Sequence, residues 1–238
     1  MKRLLEPAFQ PIVDLKTGEV AHYEALARIR RDPTDTGHAK LIQLAERHHF
    51  IHLVDLAILE MAAEEAVREG QRIASNFSAL TIEVHLHDIV TKLAELDQVR
   101  KKGLVVEITE TVPVRDRRKV AYFIDAVREM GCLVALDDFG NGFGHFTEDL
   151  VCYLEPDFLK LDGTILARAE RSGDHRGLKH ATALAQSLGA QVIAEFVDTE
   201  KKIDLLRQFG VRYGQGWAFG KPMRGAFFST IVSETVCA

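Results

Sequence analysis

The chain has 238 residues, 47% of them hydrophobic, and a formal net charge of -5 with both signs of charge mixed along it. That length suits one domain with a substantial core and approaches the roughly 250 residues of a single α/β barrel. The mild negative charge excludes a broad electrostatic grip on long nucleic acid, although local basic residues could still hold a small phosphate ligand. In chain order, AFQPIVDL and EVAHYEALARI flank KTG and predict two strands joined by a hairpin turn. AKLIQLAERHHF and HLVDLAILEMAAEEAVREG carry helical periodicity, the second stopping at Gly70. RIASNFS predicts a strand, with a helical region after it to about Arg100, and LVVEITE predicts another strand. RRKVAYFIDAVREMG reads as a helix closed by Gly131, LVALDDF as a strand followed by a short helical segment, and DFLKLD as a strand. The helix HRGLKHATALAQSLGA, the strand QVIAEFV, the helix TEKKIDLLRQFG and the final strand RYGQGWAF complete the order.

Strands alternating with helices predict parallel βα units. Eight strands favour a closed α/β fold, a TIM-like (β/α)8 barrel with an antiparallel first strand, over an open doubly wound sheet. No linker or strict repeat divides the chain, so residues 1–238 read as a single domain. Cys132, Cys152 and Cys237 form no CxxC pair, which argues against a disulfide framework or zinc knuckle and predicts a cytoplasmic protein. The opening MKRLLEPAFQPIVDL meets Glu6 and Pro7 before any stretch of signal-peptide length, and no window approaches the ~18 apolar residues of a membrane span.

Each apolar run ends in a polar residue: Glu24, Asn76, Glu107, Asp137 with Asp138, Lys160, Glu195 and Gln215. In a barrel the C-terminal strand ends form one rim, so these residues converge although they lie far apart in sequence. Taken singly, Asp138 could cap a helix, Asn76 and Ser78 could form a turn, Lys160 and Asp162 could pair at the rim, and Gln215 could satisfy a tight loop. Taken together, five carboxylates at one mouth repel unless cations compensate them, and their oxygen ligands suit magnesium or manganese better than zinc. Two such ions could activate a water and stabilise a phosphoryl displacement. His48 and His52, four apart on a helical face, and His85 and His87, alternating about Leu86, lack a partner at metal-ligand spacing and read as a solvated face and an exposed edge. GxSxG, GxxxxGK[ST] and GxGxxG motifs are absent.

The ordered blocks FQPIVDLKTGEVAHYEALAR, NFS, EITET, DDFGNGF, LKLD, AEFVDT and QGWAFGKP resemble the EAL domain family of bacterial signalling over nearly the whole chain. The resemblance implies metal-dependent hydrolysis of cyclic di-GMP to linear pGpG. It implies that Glu24, Asn76, Glu107 and Asp137 hold a first metal ion, and that Asp137, shared, and Asp138 hold a second, as Mg2+ or Mn2+, with Ca2+ inhibiting. Lys160 and Glu195 would orient and activate water and Gln215 would help position it, while Gln10, Leu26 and Arg28 would meet the nucleotide. Glu110 would anchor the loop after the aspartates. The resemblance also implies a homodimer through the helix after that loop and a sensory or signalling partner domain, the chain being either a stand-alone protein or an excised domain. Three stretches depart from the family pattern: NGFGHFTEDL after the aspartates, Phe196 and Asp198 in AEFVD, and RIRRDPTDTGHAKLIQLAERHHF, without the usual Trp and Pro-x-x-Phe features. They leave a catalytically weak or inactive cyclic di-GMP receptor acting through a protein partner as the alternative.

Overall fold

The computed structural model describes residues 1–31, 37–96, 103–109, 113–140 and 146–224. Glu110, Cys237, residues 32–36 and the NGFGH run at 141–145 lie outside them. Strands β1 (Leu5–Asp14) and β2 (Val20–Ile29) form the antiparallel hairpin that the KTG turn predicts, with Gln10 opposite Glu24. Strands β3 (Ile73–Ser78), β4 (Leu104–Thr109), β5 (Leu133–Phe139), β6 (Phe158–Leu161), β7 (Gln191–Ala194) and β8 (Tyr213–Gln215) then add in parallel order. Strand β8 returns antiparallel to β1 and closes the barrel. A two-residue strand, β9 (Met223–Arg224), pairs with β1 at Ala8 and Phe9, an addition that no alternation in so short a run could predict.

Among the described residues the helices are α1 (Gly37–Arg47), α2 (Ile51–Glu69), α3 (Ala79–Glu95), α4 (Arg117–Glu129), α5 (Glu148–Leu154), α6 (Gly163–Ser172), α7 (Arg176–Leu188) and α8 (Glu200–Gln208). Strands β3 and β6 run straight into helix caps, and β7 reaches one after a short loop: the Ser78, Asp162 and Thr199 side chains accept hydrogen bonds from first-turn N–H groups of α3, α6 and α8. In α4, Val120, Phe123, Ile124 and Val127 make the buried stripe that a surface helix needs. Helix α6 is not separated by the sequence pattern, because only Gly163, Leu166 and Ala169 are buried and two of those are small. Among the described residues, no helix is long and apolar enough to cross a membrane.

The strand side chains alternate between two cores. The larger lies between strands and helices; a compact one, made of Ile12, Ala74, Val105, Ala135, Phe158 and Ile193, plugs the barrel interior. Two residues beyond the last five of these, on the same inward side, stand Asn76, Glu107, Asp137, Lys160 and Glu195. Tyr213 packs against the plug and His22 meets Phe158, ring centres 5.4 Å apart, so Gln215 and Glu24 extend the same layer. The apolar plug is the floor on which the polar layer rests.

Candidate active site

Glu24 sits mid-strand in β2 rather than at its tip, beside Ala74 in β3, while Asn76 pairs in register with Glu107 and Glu107 with Ala135. The stagger of a closed barrel brings residues at these different positions to one level. The aspartate pair needs a further device, because adjacent strand residues point to opposite faces. Strand β5 carries a bulge: Leu136 pairs with Leu159, but Phe139 pairs with Leu161, and Asp138 between them has φ 57. The extra residue and left-handed turn bring both carboxylates to the mouth, where ligand oxygens of Asp137, Asp138 and Glu195 lie within 4.8 Å of one another.

Lys160 is the hub of the layer. Its Nζ stands 3.0 Å from Asp137 Oδ1, 3.1 Å from Glu195 Oε1 and 3.5 Å from Glu24 Oε2, and it also pairs with Glu107. Glu24 is the best-satisfied carboxylate, accepting from Asn76 Nδ2 at 2.8 Å and Gln215 Nε2 at 2.6 Å. Burial drives Glu24 toward protonation, but Lys160 and those two amides outweigh it and hold its carboxyl below the usual range. Glu107 goes the other way: burial and the charges of Glu24 and Asp137 raise it well above the carboxylate range against the pull of Lys160. Burial, with Asp137 and Glu24, pushes Glu195 up to about 8 despite Lys160. Burial and Asp137 push Asp138 up to about 6. Lys160 itself stays protonated, since four carboxylates more than offset the desolvation of a 1% exposed ammonium. Beneath this layer, burial first and then Arg72 and Lys160 hold His22 neutral, at about 3.

These values describe more negative charge than one lysine neutralises. Two buried oxygens point the same way: among the described residues Asn76 Oδ1 has no hydrogen-bond partner, and Asp137 Oδ1 lies outside hydrogen-bond geometry even with Lys160 Nζ 3.0 Å away. An all-oxygen donor set with surplus charge and an idle carbonyl fits hard divalent cations.

Two cavities share Glu24, Leu26 and Asp137 as a common wall. One, of about 270 Å³, is lined by Arg28, Asp55, Asn76 and Asp138; the other, of about 410 Å³, by Gln10, Lys160, Glu195, Phe196, Gln215 and Trp217. All the sequence-selected residues except Glu110, outside the described residues, therefore border one mouth or the polar layer below it. Phe196 lines the second cavity rather than filling it. Sequence reasoning missed Trp217 and Asp55. Asp55 is buried in α2, accepts from Ser78 N at 3.2 Å and Thr81 Oγ1 at 2.7 Å, and ties α2 to the start of α3. A lone acid inside the apolar run LVDLAIL is the signal that could have found it.

The histidines differ from the reading of their spacing. Helix α1 ends at Arg47 and α2 begins at Ile51, so His48 and His52 do not share one helical face. His85 and His87 lie in α3 instead of on an edge, and His85, at a non-helical kink, stacks on His52 with ring centres 3.7 Å apart.

The chain is 30% identical over 224 residues to the cyclic di-GMP phosphodiesterase PA2567 of Pseudomonas aeruginosa, covering 90% of this chain and 38% of that protein. It is also 30% identical over 229 residues to the cyclic di-GMP phosphodiesterase NbdA of the same species, covering 92% of this chain and 29% of that one. The chain thus spans less than half the length of either curated relative. Among solved structures, the PaMucR phosphodiesterase in its c-di-GMP complex matches with a TM-score of 0.79 and 26% identity, covering 93% of both chains. Residues 2–222 match the model of the EAL domain, and the chain that builds this barrel and its acidic mouth belongs to the EAL domain family.

Proposed function

We propose that this domain hydrolyses cyclic di-GMP to linear pGpG with the help of two divalent ions. The observation that carries the reading is the acidic layer around Lys160, set between two cavities that share Glu24, Leu26 and Asp137. A ligand with a reactive diester between two nucleosides suits that division. In this reading Glu24, Asn76, Glu107 and Asp137 hold one ion, Asp137 and Asp138 the second, and magnesium or manganese is preferred for its tolerance of an all-oxygen site. Bound there, the ions supply Lewis acidity that acidifies a nearby water and absorbs charge on the phosphoryl group. Calcium, larger and looser in geometry, inhibits.

The chain's own groups do the rest. Lys160 would orient the attacking water and Glu195 would take its proton; burial and the neighbouring carboxylates push Glu195 up to about 8, and with ions held by Asp137 and Asp138 it would fall, freeing the base near neutral pH. The water oxygen bonds to phosphorus as the bond from phosphorus to the 3′ oxygen breaks, and that oxygen leaves as a hydroxyl once it has received a proton, the one taken by Glu195 being returned through solvent. Gln215 holds Glu24 and, through its contact with Gln10 Oε1 at 3.2 Å, the middle of β1. Arg28, Leu26 and Gln10 meet the nucleotide. A homodimer through α5 and a sensory or signalling partner domain belong to the same reading.

The test is incubation of the purified protein with cyclic di-GMP and magnesium or manganese, with chromatographic separation of products. Release of pGpG is expected, with Lys160→Ala and Glu195→Ala reduced by at least about a hundredfold. Binding without product overturns the reading in favour of a receptor. Wild-type rates in both variants overturn the residue roles.

A further inference from the structure

We propose that Phe196 and Trp217 form an aromatic clamp that stacks on one nucleobase of the cyclic dinucleotide and sets the affinity of the site for its substrate. The inference rests on the reading above and adds a specificity element to it. Phe196 is 68% exposed and Trp217 67% exposed, and both border the 410 Å³ cavity that also contains Lys160 and Glu195. A single exposed aromatic is ordinary, but two at the mouth of one polar site are not explained by packing. Flat rings beside a phosphodiester site are a sequence-tolerant platform for a base.

Phe196 is also held in a costly conformation. Its φ of 54 lies in the left-handed region, which a bulky side chain avoids unless its surroundings impose it. Those surroundings are visible. Lys202, buried, donates from Nζ to Phe196 O at 3.0 Å and pairs with Asp198 Oδ1 at 2.8 Å. On the other side, a Cβ on Gly163 would come within 2.5 Å of the Phe196 ring, so glycine there leaves the ring its seat.

The two aromatic residues stand on loops that are stitched together. Val197 N donates to Gln215 O at 3.0 Å, and Ala218 N donates to Val197 O at 3.0 Å. Phe196 precedes Val197 and Trp217 lies between Gln215 and Ala218, so these bonds hold the backbones that carry the two rings in place before any ligand arrives. Preorganisation of this kind lowers the ordering cost of binding. Lys221 Nζ, 4.5 Å from the centre of the Trp217 ring, adds a cation beside the clamp.

Trp217 is the only tryptophan of the chain, so tryptophan fluorescence, excited selectively over the four tyrosines, reports on this spot alone. Cyclic di-GMP titrated into the protein, chelated or calcium-loaded, is expected to quench that fluorescence saturably. Phe196→Ala and Trp217→Ala are expected to raise KM by about ten- to a hundredfold with a smaller change in kcat. Phe196→Tyr and Trp217→Phe, which keep a ring, restore it. Unquenched fluorescence with unchanged KM in both alanine variants overturns the clamp. Self-association relieved by Trp217→Ala, again with unchanged KM, overturns it in favour of a contact between copies. Saturable quenching without any pGpG from the wild type overturns the proposed hydrolysis and supports the clamp; neither quenching nor product overturns both.

Discussion

Lys160 Nζ stands 3.1 Å from Glu195 Oε1 at the centre of the barrel mouth, and the same ammonium also contacts Asp137, Glu107 and Glu24. One side chain is thus the counter-charge for four strands. Lys160→Met is expected to destabilise the chelated protein at pH 8 by about 3 to 5 kcal/mol, the range for breaking a buried ion pair. The penalty should shrink at pH 5. Glu107 and Glu195 bind protons more tightly folded than unfolded, so their contribution is present at low pH and lost as pH rises through the folded values, about 8 for Glu195. Urea unfolding at both pH values measures it; an equal loss at each contradicts the account.

Asp138 sits at φ 57, a backbone that asparagine accepts almost as readily as glycine, so Asp138→Asn is expected to fold. Burial and the charge of Asp137 raise its carboxyl to about 6, so the wild type loses stability as pH climbs through that value. At pH 8 with chelator the variant should gain about 1 kcal/mol, allowing for the screening of a half-buried group. Manganese affinity by titration calorimetry should fall at least about tenfold. Undiminished affinity would remove Asp138 from the ligand set.

Asp55 titrates at about 7, raised by burial first and by Glu46, against hydrogen bonds from Thr81 and Ser78. Its folded value lies above the unfolded one, so its contribution is full below about pH 4 and lost as pH rises through 7. That separation is worth at most about 4 kcal/mol. Asp55→Asn keeps an acceptor for both donors without the charge. Denaturation midpoints at pH 5 and pH 8 should converge in the variant relative to the wild type.

A methyl group on Gly216 would meet Val197 O at 2.1 Å and Val197 N at 2.3 Å, both backbone atoms that cannot turn aside. Gly216→Ala should cost about 1 to 3 kcal/mol as overpacking and displace the adjacent Gln215. With Gln215 in its proposed positioning role, a shift of that scale lowers kcat by up to about a hundredfold. Thermal midpoint and turnover, measured together, should both fall; a loss of stability alone would separate Gln215 from catalysis.

The barrel and most of its mouth are legible in the sequence because one period of two governs both. Val105 and Glu107, Phe158 and Lys160, and Ile193 and Glu195 are each an interior plug residue followed by a site residue, so the pattern that marks a strand also marks its functional end. The aspartate pair is legible as composition but not as geometry: nothing in LVALDDF announces the bulge that turns both carboxylates inward. Trp217 escapes for a different reason, since neither periodicity nor charge distinguishes an exposed ring from a core one, and Phe196 is legible only as a departure from the family pattern. The histidines mislead because spacing of four implies a shared face only within an unbroken helix, and a break intervenes at 48–50. Helix α6 is hidden by its small buried residues.

The antiparallel first strand has a consequence for the order of assembly. Strand β1 lies between β2 and β8, and Gln215 Nε2 reaches Glu24 Oε2 and Gln10 Oε1 across separations of 191 and 205 residues. Contacts of that range form late, because a long loop must close before they repay its entropy. During synthesis the earliest strand must wait, one edge unpaired, for nearly the last. Glu24 therefore gains its full set of partners only when β8 docks, and a nascent chain that has made every other strand still has an open seam through the middle of its acidic mouth.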